Sequence, residues 1–239
     1  MTNQLHFACE ALSNDGSIQT SLISVPANKF VIAGWTGRDA DAIRHHIHEL
    51  ELLGVPAPSS VPLYYRASAQ MLTQSDMIEV LGPDSSGEVE PVLFFASGEW
   101  WLTVGSDHTD RRVETYSVAV SKQMCPKPIG RVAWRWADVA GYQDEIELRS
   151  RIFEGGKWVD YQKGTFASIR PLESLRDGCY PLESTENGSF VSCGTLGAIK
   201  NDQGQGIRPA TMMELEIADP RSKRRIVHRY EVEMLPVIS

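Results

Sequence analysis

Ser85-Ser86-Gly87-Glu88-Val89-Glu90, followed later by Gly105-Ser106-Asp107-His108-Thr109-Asp110-Arg111, places three carboxylates where strand-like sequence meets turns. In an extended strand, residues two apart project to the same face, so Glu88 and Glu90 aim at one point while Val89 packs behind them. Asp107 is a candidate third oxygen ligand. Ligation by carboxylates, with positions left to water and substrate, suits Mg2+ or Mn2+ better than Zn2+. The same Glu-x-Glu spacing also occurs on solvent-facing strand edges, where it serves solubility. The spacing by itself leaves both readings open.

Around this segment the text is mostly strand. Met77 to Leu81, Glu88 to Ala96 and Trp100 to Gly105 read as strands, as do Ser17 to Ser24 and Lys29 to Trp35 on either side of Pro26-Ala27-Asn28, and Val61 to Arg66. Downstream, Glu145 to Phe153 and Trp158 to Gln162 form a hairpin around Gly155-Gly156. Further strands lie at Phe190 to Cys193, Met212 to Ile217 and Ile226 to Met234, and the alternation Glu214-Leu215-Glu216-Ile217 predicts one buried face. Two helices are predicted. Asp39 to Leu53 has apolar residues at helical spacing (Ala42, Ile43, Ile47, Leu50, Leu53) and is stopped by Gly54 and Pro56, and Ser168 to Arg176 is a shorter one. The chain therefore reads as a β-dominated α+β protein. Alternating βαβα text is missing, and Gly204-Gln205-Gly206 lacks the strand–turn–helix context of a phosphate loop.

With 239 residues the chain can bury a substantial core, and it reads as one domain. The formal charge of −8 argues against a binder of nucleic-acid backbones, and Arg221-Ser222-Lys223-Arg224-Arg225 is a single basic patch that reads as a turn between strands. No stretch is long and apolar enough to predict a membrane span. Met1 to His6 has neither a basic leader nor an apolar h-region, so a cytoplasmic protein is expected. Cys9, Cys125, Cys179 and Cys193 are scattered without metal-ligand spacing and are expected to be reduced thiols; neither Cys125 nor Cys193 has the His–acid context of a nucleophile.

The predicted first helix carries His45-His46-Ile47-His48-Glu49. His46 and Glu49 sit at i,i+3 and share one face, where an acid can orient an imidazole and support its role as a general base. Three histidines among Arg44, Glu49 and Glu51 also suit a solvated helix face. Zinc held by His45, His46 and His48 is disfavoured because neighbouring helical positions diverge around the axis.

Taken in order, these pieces resemble the fumarylacetoacetate hydrolase superfamily. Gly34-Trp35-Thr36-Gly37-Arg38 with His46-x-x-Glu49 is similar to its N-terminal glycine turn and lid helix, and Pro62-Leu63-Tyr64-Tyr65-Arg66 to its proline–aromatic–lysine strand. Glu88-Val89-Glu90 looks like the metal strand, and Ser106-Asp107-His108-Thr109-Asp110-Arg111 resembles the Asn-Asp-Val-Ser-Ala-Arg segment. Ser121-Lys122-Gln123-Met124-Cys125-Pro126 is similar to the segment bearing the active-site lysine, and Ser192-Cys193-Gly194-Thr195-Leu196-Gly197 to the Thr-Gly-Thr-Pro-x-Gly loop. The resemblance runs from about Val31 to Glu233 and is closest to a bacterial branch described as a domain of unknown function. Departures are Arg66 for lysine, Ser106 for asparagine, Cys193 and Leu196 for threonine and proline, and a short Glu90-to-Asp107 interval.

The resemblance implies a mixed β-roll/sandwich of the fumarylacetoacetase C-terminal-domain type, with N-terminal strands and a lid helix in residues 1–60 and a roll core in 61–239. It implies Mg2+ or Mn2+ on Glu88, Glu90 and Asp107, catalytic roles for His46, Glu49 and Lys122, and substrate contacts from Arg66, Arg111, Gln162, Gly194 and Thr195. His108 and Asp110 are read as supporting or exposed residues. The expected activity is metal-dependent hydrolysis of a C–C bond in a small acylpyruvate-like acid through a stabilised enolate, in a homodimer without nucleic-acid or membrane partners. The same site suits a decarboxylase or tautomerase of oxaloacetate-like acids. A catalytically silent small-molecule-binding module on this fold is the third reading.

Overall fold

The computed structural model of the protein describes residues 3–52, 57–179, 185–236 and 238, with the side chains at 42, 46 and 49–52 excepted. The first part of the chain contains β1 (Gln4–Leu12), β2 (Ile18–Pro26), β3 (Lys29–Gly34), α1 (Ala40–Leu52), β4 (Leu63–Ala67), β5 (Leu72–Thr73), β6 (Met77–Leu81) and β7 (Ser85–Ser86). Then come β8 (Val89–Ala96), β9 (Glu99–Ser106), β10 (Thr109–Asp110), α2 (Arg111–Tyr116), α3 (Val118–Ser121), β11 (Lys127–Pro128) and β12 (Val132–Arg135). The last part holds β13 (Glu147–Glu154), β14 (Lys157–Thr165), α4 (Leu172–Gly178), β15 (Ser189–Ser192), β16 (Met212–Asp219) and β17 (Arg224–Leu235). The β-dominated α+β class read from the sequence is the class observed.

Two mixed sheets build the core. The larger has eight strands in the order β2-β1-β12-β9-β8-β15-β3-β4, and the smaller has five in the order β14-β13-β16-β17-β6. Between them lies a core that takes Val31, Leu93, Leu102 and Trp134 from the large sheet and Leu148, Leu215, Ile226 and Tyr230 from the small one. A second core packs on the other face of the large sheet, where Phe94 stacks on Phe7 at 4.2 Å and on Phe190 at 5.3 Å between ring centroids. Both faces of β8 are therefore buried. That explains why Val92-Leu93-Phe94 reads as a continuous apolar run instead of alternating with polar residues.

The β8–β9 hairpin turns on Ser97 and Gly98, both at positive φ (54° and 82°), with Ala96 opposite Glu99. This two-residue connection matches the right-handed twist of the strands and accounts for the short interval between Glu90 and Asp107. Gly155 and Gly156 close the β13–β14 hairpin in the same way, with Glu154 opposite Lys157.

Several elements differ from expectation. The N-terminal strand β1 was not anticipated, yet it buries Leu5, Phe7 and Cys9 and pairs in parallel with β12. The N-terminal strands thus share a sheet with the Glu-x-Glu hairpin. The second predicted helix begins later, at Leu172, because Phe166–Ser168 forms a separate 3-10 turn. Leu53, Gly54 and Pro56, the expected end of α1, lie outside the described residues. No helix among the described residues is long and apolar enough to cross a membrane.

Candidate metal centre

The open ends of the β8–β9 hairpin assemble the acidic cluster. Val89 faces Ser106 and Glu90 faces Gly105, and one step beyond the ladder the Asp107 N–H donates to the Glu88 carbonyl at 3.0 Å. One carboxylate oxygen from each of Glu88, Glu90 and Asp107 lies within 4.8 Å of the others. Oxygens on opposite sides of an octahedral Mg2+ lie roughly 4.2 Å apart. The spacing of the cluster is compatible with such an ion, and its all-oxygen donor set suits a hard cation. Asp107 and Glu90 are almost fully buried, with 1 % and 2 % exposure.

Glu88 and Glu90 each have one oxygen held by the protein, and Asp107 has both. Glu90 Oε2 accepts from the Ser192 hydroxyl and, at 3.3 Å, from the Gly194 N–H. Glu88 Oε1 lies 3.4 Å from the Arg111 guanidinium, which also donates to Ser86 Oγ at 2.7 Å and Glu114 Oε2 at 2.9 Å. Asp107 Oδ1 is 2.9 Å from the Lys127 ammonium, and Oδ2 accepts from Lys122. Donors arranged around ligating carboxylates in this way fix their orientation.

The electrostatics separate the acids. Burial pushes Glu90 up to about 8, and the charge of Asp107 pushes in the same direction. Burial would also raise Asp107, but the ammonium groups of Lys122 and Lys127 outweigh it and hold this carboxyl well below the usual range. Burial acts to lower Lys122, yet the carboxylates of Asp107, Glu88 and Glu90 raise it above its ordinary value. Glu90 is thus a carboxyl that lacks a full counter-charge. A divalent ion would supply it.

Local sequence explains these placements. Gly87 is required because a Cβ there would meet Met213 Sδ and Tyr230 Oη at 2.3 Å. Asp110 caps α2 by accepting from the Val113 N–H at 2.9 Å, which starts that helix with Arg111 beside Glu88. Lys122 ends α3, a single turn capped by Ser117. Gly194 has φ +91°, and a Cβ there would lie 1.7 Å from Thr36 Oγ1. Close backbone approach and left-handed geometry both call for glycine at this position.

The other predicted residues occupy varied positions. Gln162 accepts from the Val89 N–H and Ser150 Oγ, both at 2.9 Å, and donates to Thr195 Oγ1 at 2.8 Å and the Leu196 carbonyl at 2.7 Å. Thr195 in turn donates to the Val89 carbonyl at 2.7 Å. These two residues brace the Gly194 loop against the metal strand. Arg66 is exposed on β4, and its carbonyl accepts from Gln123 at 3.1 Å, which brings β4 next to the segment bearing Lys122. His46 and Glu49 belong to the backbone of α1, but their side chains lie outside the described ones. The entry to α1 is fixed: Arg38 pairs with both oxygens of Asp144 at 2.6 and 2.7 Å, and Gly37 bridges Ile169.

Sequence reading did not single out Lys127 or Tyr230; Ser192 entered only as part of the glycine-loop segment and His108 only as a supporting or exposed residue. Lys127 was detectable as a lone charge in the otherwise apolar Met124-Cys125-Pro126-Lys127-Pro128-Ile129, since a lysine is buried only with a partner. His108 contacts Tyr230 Oη through Nδ1 and Ser85 Oγ through Nε2, both at 3.0 Å. Burial and the charges of Lys127 and Arg111 push it down to about 3, so it stays neutral. Tyr230 Oη also meets Ser106 Oγ at 2.9 Å, and Ser106 accepts from the Glu88 N–H at 3.3 Å, so the second sheet supports the metal strand. The four cysteines are buried and free, and burial raises Cys125 to about 11 and Cys193 well above its ordinary value.

Comparison with solved structures identifies the fold. A crystal structure of Cg1458 superposes with a TM-score of 0.62 at 13% identity, covering 95% of this chain and 88% of that one. A hexagonal crystal form of 2-keto-3-deoxyarabinonate dehydratase gives 0.62 at 11% identity, covering 94% and 86%. The same dehydratase complexed with magnesium and 2,5-dioxopentanoate gives 0.61 at 12% identity, covering 90% and 77%. These are domains of the fumarylacetoacetate hydrolase type, and at such identities the likeness establishes the fold. No curated protein matches the sequence. A family model does match, over residues 33–230, and the chain belongs to that family, described as protein of unknown function DUF2848.

Proposed function

We propose that this protein is a Mg2+- or Mn2+-dependent enzyme that hydrolyses a C–C bond of a small acylpyruvate-like 2-oxo or β-diketo acid, releasing one fragment as a stabilised enolate. The observation that carries this reading is the largely buried triad of Glu88, Glu90 and Asp107, whose ligand oxygens face one another while protein donors hold Glu88 and Glu90 on one oxygen each and Asp107 on both. When bound, the divalent ion supplies Lewis-acid polarisation of a substrate carbonyl.

The chain's own residues do the rest. Glu88, Glu90 and Asp107 hold the ion, and Lys122 adds positive charge where negative charge develops. The three carboxylates face three cations in number, Lys122 and Lys127 on Asp107 and Arg111 on Glu88, although none of them pairs with Glu90. Even with Glu114 sharing Arg111, a divalent ion leaves an excess of positive charge. A substrate bearing a carboxylate offsets it. Arg66, whose planar fork suits a carboxylate, is assigned to that group, with Arg111 and the Gly194–Thr195 loop shaping the floor. His46, oriented by Glu49 on α1, is assigned to water activation, and closure of α1 to exclusion of bulk solvent. The homodimer implied by the resemblance is part of the same proposal.

A dehydratase is the second reading, supported by the shared fold of 2-keto-3-deoxyarabinonate dehydratase. Both reactions pass through an enolate of the 2-oxo acid, which the hydrolase releases when the C–C bond breaks after water has added to the neighbouring carbonyl and which the dehydratase forms by loss of a C3 proton before the hydroxyl leaves. The test is a panel of acylpyruvates, oxaloacetate and 3-deoxy-2-keto sugar acids with Mg2+ or Mn2+, repeated with chelator. Carboxylate pairs from acylpyruvates support the hydrolase, while water loss from the sugar acids transfers the proposal to the dehydratase. Turnover that persists in chelator overturns both.

A further inference from the structure

Asp107 is held on both carboxylate oxygens, and the two holders differ in kind. Lys127 is 1 % exposed and extends from β11, itself paired in parallel with β5. Its ammonium is shared between Asp107 Oδ1 at 2.9 Å and the His108 carbonyl, and the Thr109 hydroxyl lies 3.3 Å from the same Oδ1. Lys122 follows the four-residue helix α3, beside the exposed residues Ala119, Val120, Gln123 and Met124. Among the described residues its ammonium has one hydrogen-bond acceptor, Asp107 Oδ2. Its one ion pair among the described residues is with Asp107, and the charges of Glu88 and Glu90 act on it from further away.

We infer that Lys122 is a placeholder for the divalent ion: in the metal-free protein its ammonium holds Asp107 Oδ2, the oxygen that Lys127 leaves to the ion, and it leaves Oδ2 when the ion binds. Lys127 stays. As a positioning residue it keeps Oδ1 turned away from the ion and presents Oδ2 to it. The inference rests on the metal-dependent reading above. An ammonium and a divalent ion compete for one oxygen, because their separation would be a few ångströms in a buried site where Coulomb repulsion is weakly screened. The displaced ammonium, on a flexible four-carbon stem, then becomes available to an anionic ligand. Ion loading thus precedes productive anion binding.

Nitrogen-15 NMR of the lysine ammonium groups, titrated with Mg2+ and assigned with Lys122→Arg and Lys127→Arg, tests the division of labour. The Lys122 signal is expected to shift on binding and the Lys127 signal to hold. Calorimetry provides the second readout: Lys122→Met should bind Mg2+ about tenfold tighter than wild type once the competing buried charge is gone. Lys127→Met, which removes an equal charge, should bind no tighter. A static Lys122 signal, or equal tightening in both methionine variants, overturns the placeholder while leaving the metal reading intact. Absence of Mg2+ binding to wild type overturns both.

Discussion

The main-chain N–H of Asp107 donates to the carbonyl of Glu88 at 3.0 Å, one step beyond the last paired rung of the β8–β9 hairpin. This bond converts a tight hairpin into a three-carboxylate cluster. The register set by the Ser97-Gly98 turn decides which residues meet at the open end. A one-residue slip would turn the side chains of one strand to the opposite face and separate the triad.

The acids should respond in opposite ways to neutralisation. Asp107→Asn leaves Lys122 and Lys127 buried without their shared counter-charge, and a loss of about 3–5 kcal/mol of stability is expected. Glu90→Gln removes a carboxyl that burial already keeps protonated to about pH 8, so the metal-free protein should gain stability at pH 9. Both variants should lose Mg2+ affinity. Denaturant unfolding in chelator together with calorimetry checks this, and destabilisation by Glu90→Gln at pH 9 counts against the assigned electrostatics.

Most of this centre was legible in the sequence, and the limits have physical causes. Glu88, Glu90 and Asp107 were visible because strand period and turn placement converge on them. Lys127 showed only as a lone charge in an apolar run and its role did not show, because its partner is a side chain twenty positions upstream and only the β11–β5 pairing brings the strand carrying it to the site. Gln162 and Thr195 were expected at the substrate. Their hydrogen bonds to Val89, Ser150 and Leu196 depend on the packing of the two sheets, which no local pattern encodes. Strand β1 went unread although Leu5, Phe7 and Cys9 alternate correctly, since its parallel partner β12 lies far along the chain.

A second prediction concerns pH. Glu90 is raised in the fold from 4.5 to about 8, so the folded state binds more protons than the unfolded state between those values. Its contribution is present below about pH 4.5 and is lost as pH rises toward 8, with a slope approaching about 1.4 kcal/mol per pH unit at its steepest. Asp107 acts in a separate window: its lowered value contributes stability above its ordinary 3.8, lost on further acidification. Melting temperatures in chelator should therefore decline from pH 5 to 8, and the increment on adding Mg2+ should grow over the same range. An increment independent of pH would dissociate ion binding from Glu90.

Gln162→Leu should be strongly destabilising despite its similar size. The change strands the buried Val89 N–H, the Ser150 hydroxyl and the Leu196 carbonyl, each worth about 1–3 kcal/mol when left without a partner. It also frees the loop that presents Gly194 to Glu90. A combined loss of several kcal/mol with weakened Mg2+ binding is expected from urea unfolding and calorimetry. A stable variant with normal ion affinity but reduced substrate affinity would instead place Gln162 at the substrate.

The last prediction separates the α1 residues from the ion. Arg38 ties the start of this helix to Asp144, Ile169 and Phe166, so substitutions further along it should leave the triad in place. If His46 is the base that activates water, His46→Ala should lower the turnover rate by roughly two to four powers of ten while Mg2+ affinity stays at the wild-type value. Glu49→Gln should produce a smaller loss, because the imidazole keeps its position but loses the charge that supports its protonated form. The rate of the wild-type enzyme should also fall on acidification through the histidine range, near 6.5 where a histidine is unperturbed. The His46→Ala variant should lack that limb. The distinguishing measurement is enolisation itself, followed by exchange of the substrate's C3 protons with solvent deuterium. Exchange that continues in His46→Ala while C–C cleavage stops assigns His46 to water, whereas loss of both would make it the base that removes the substrate proton.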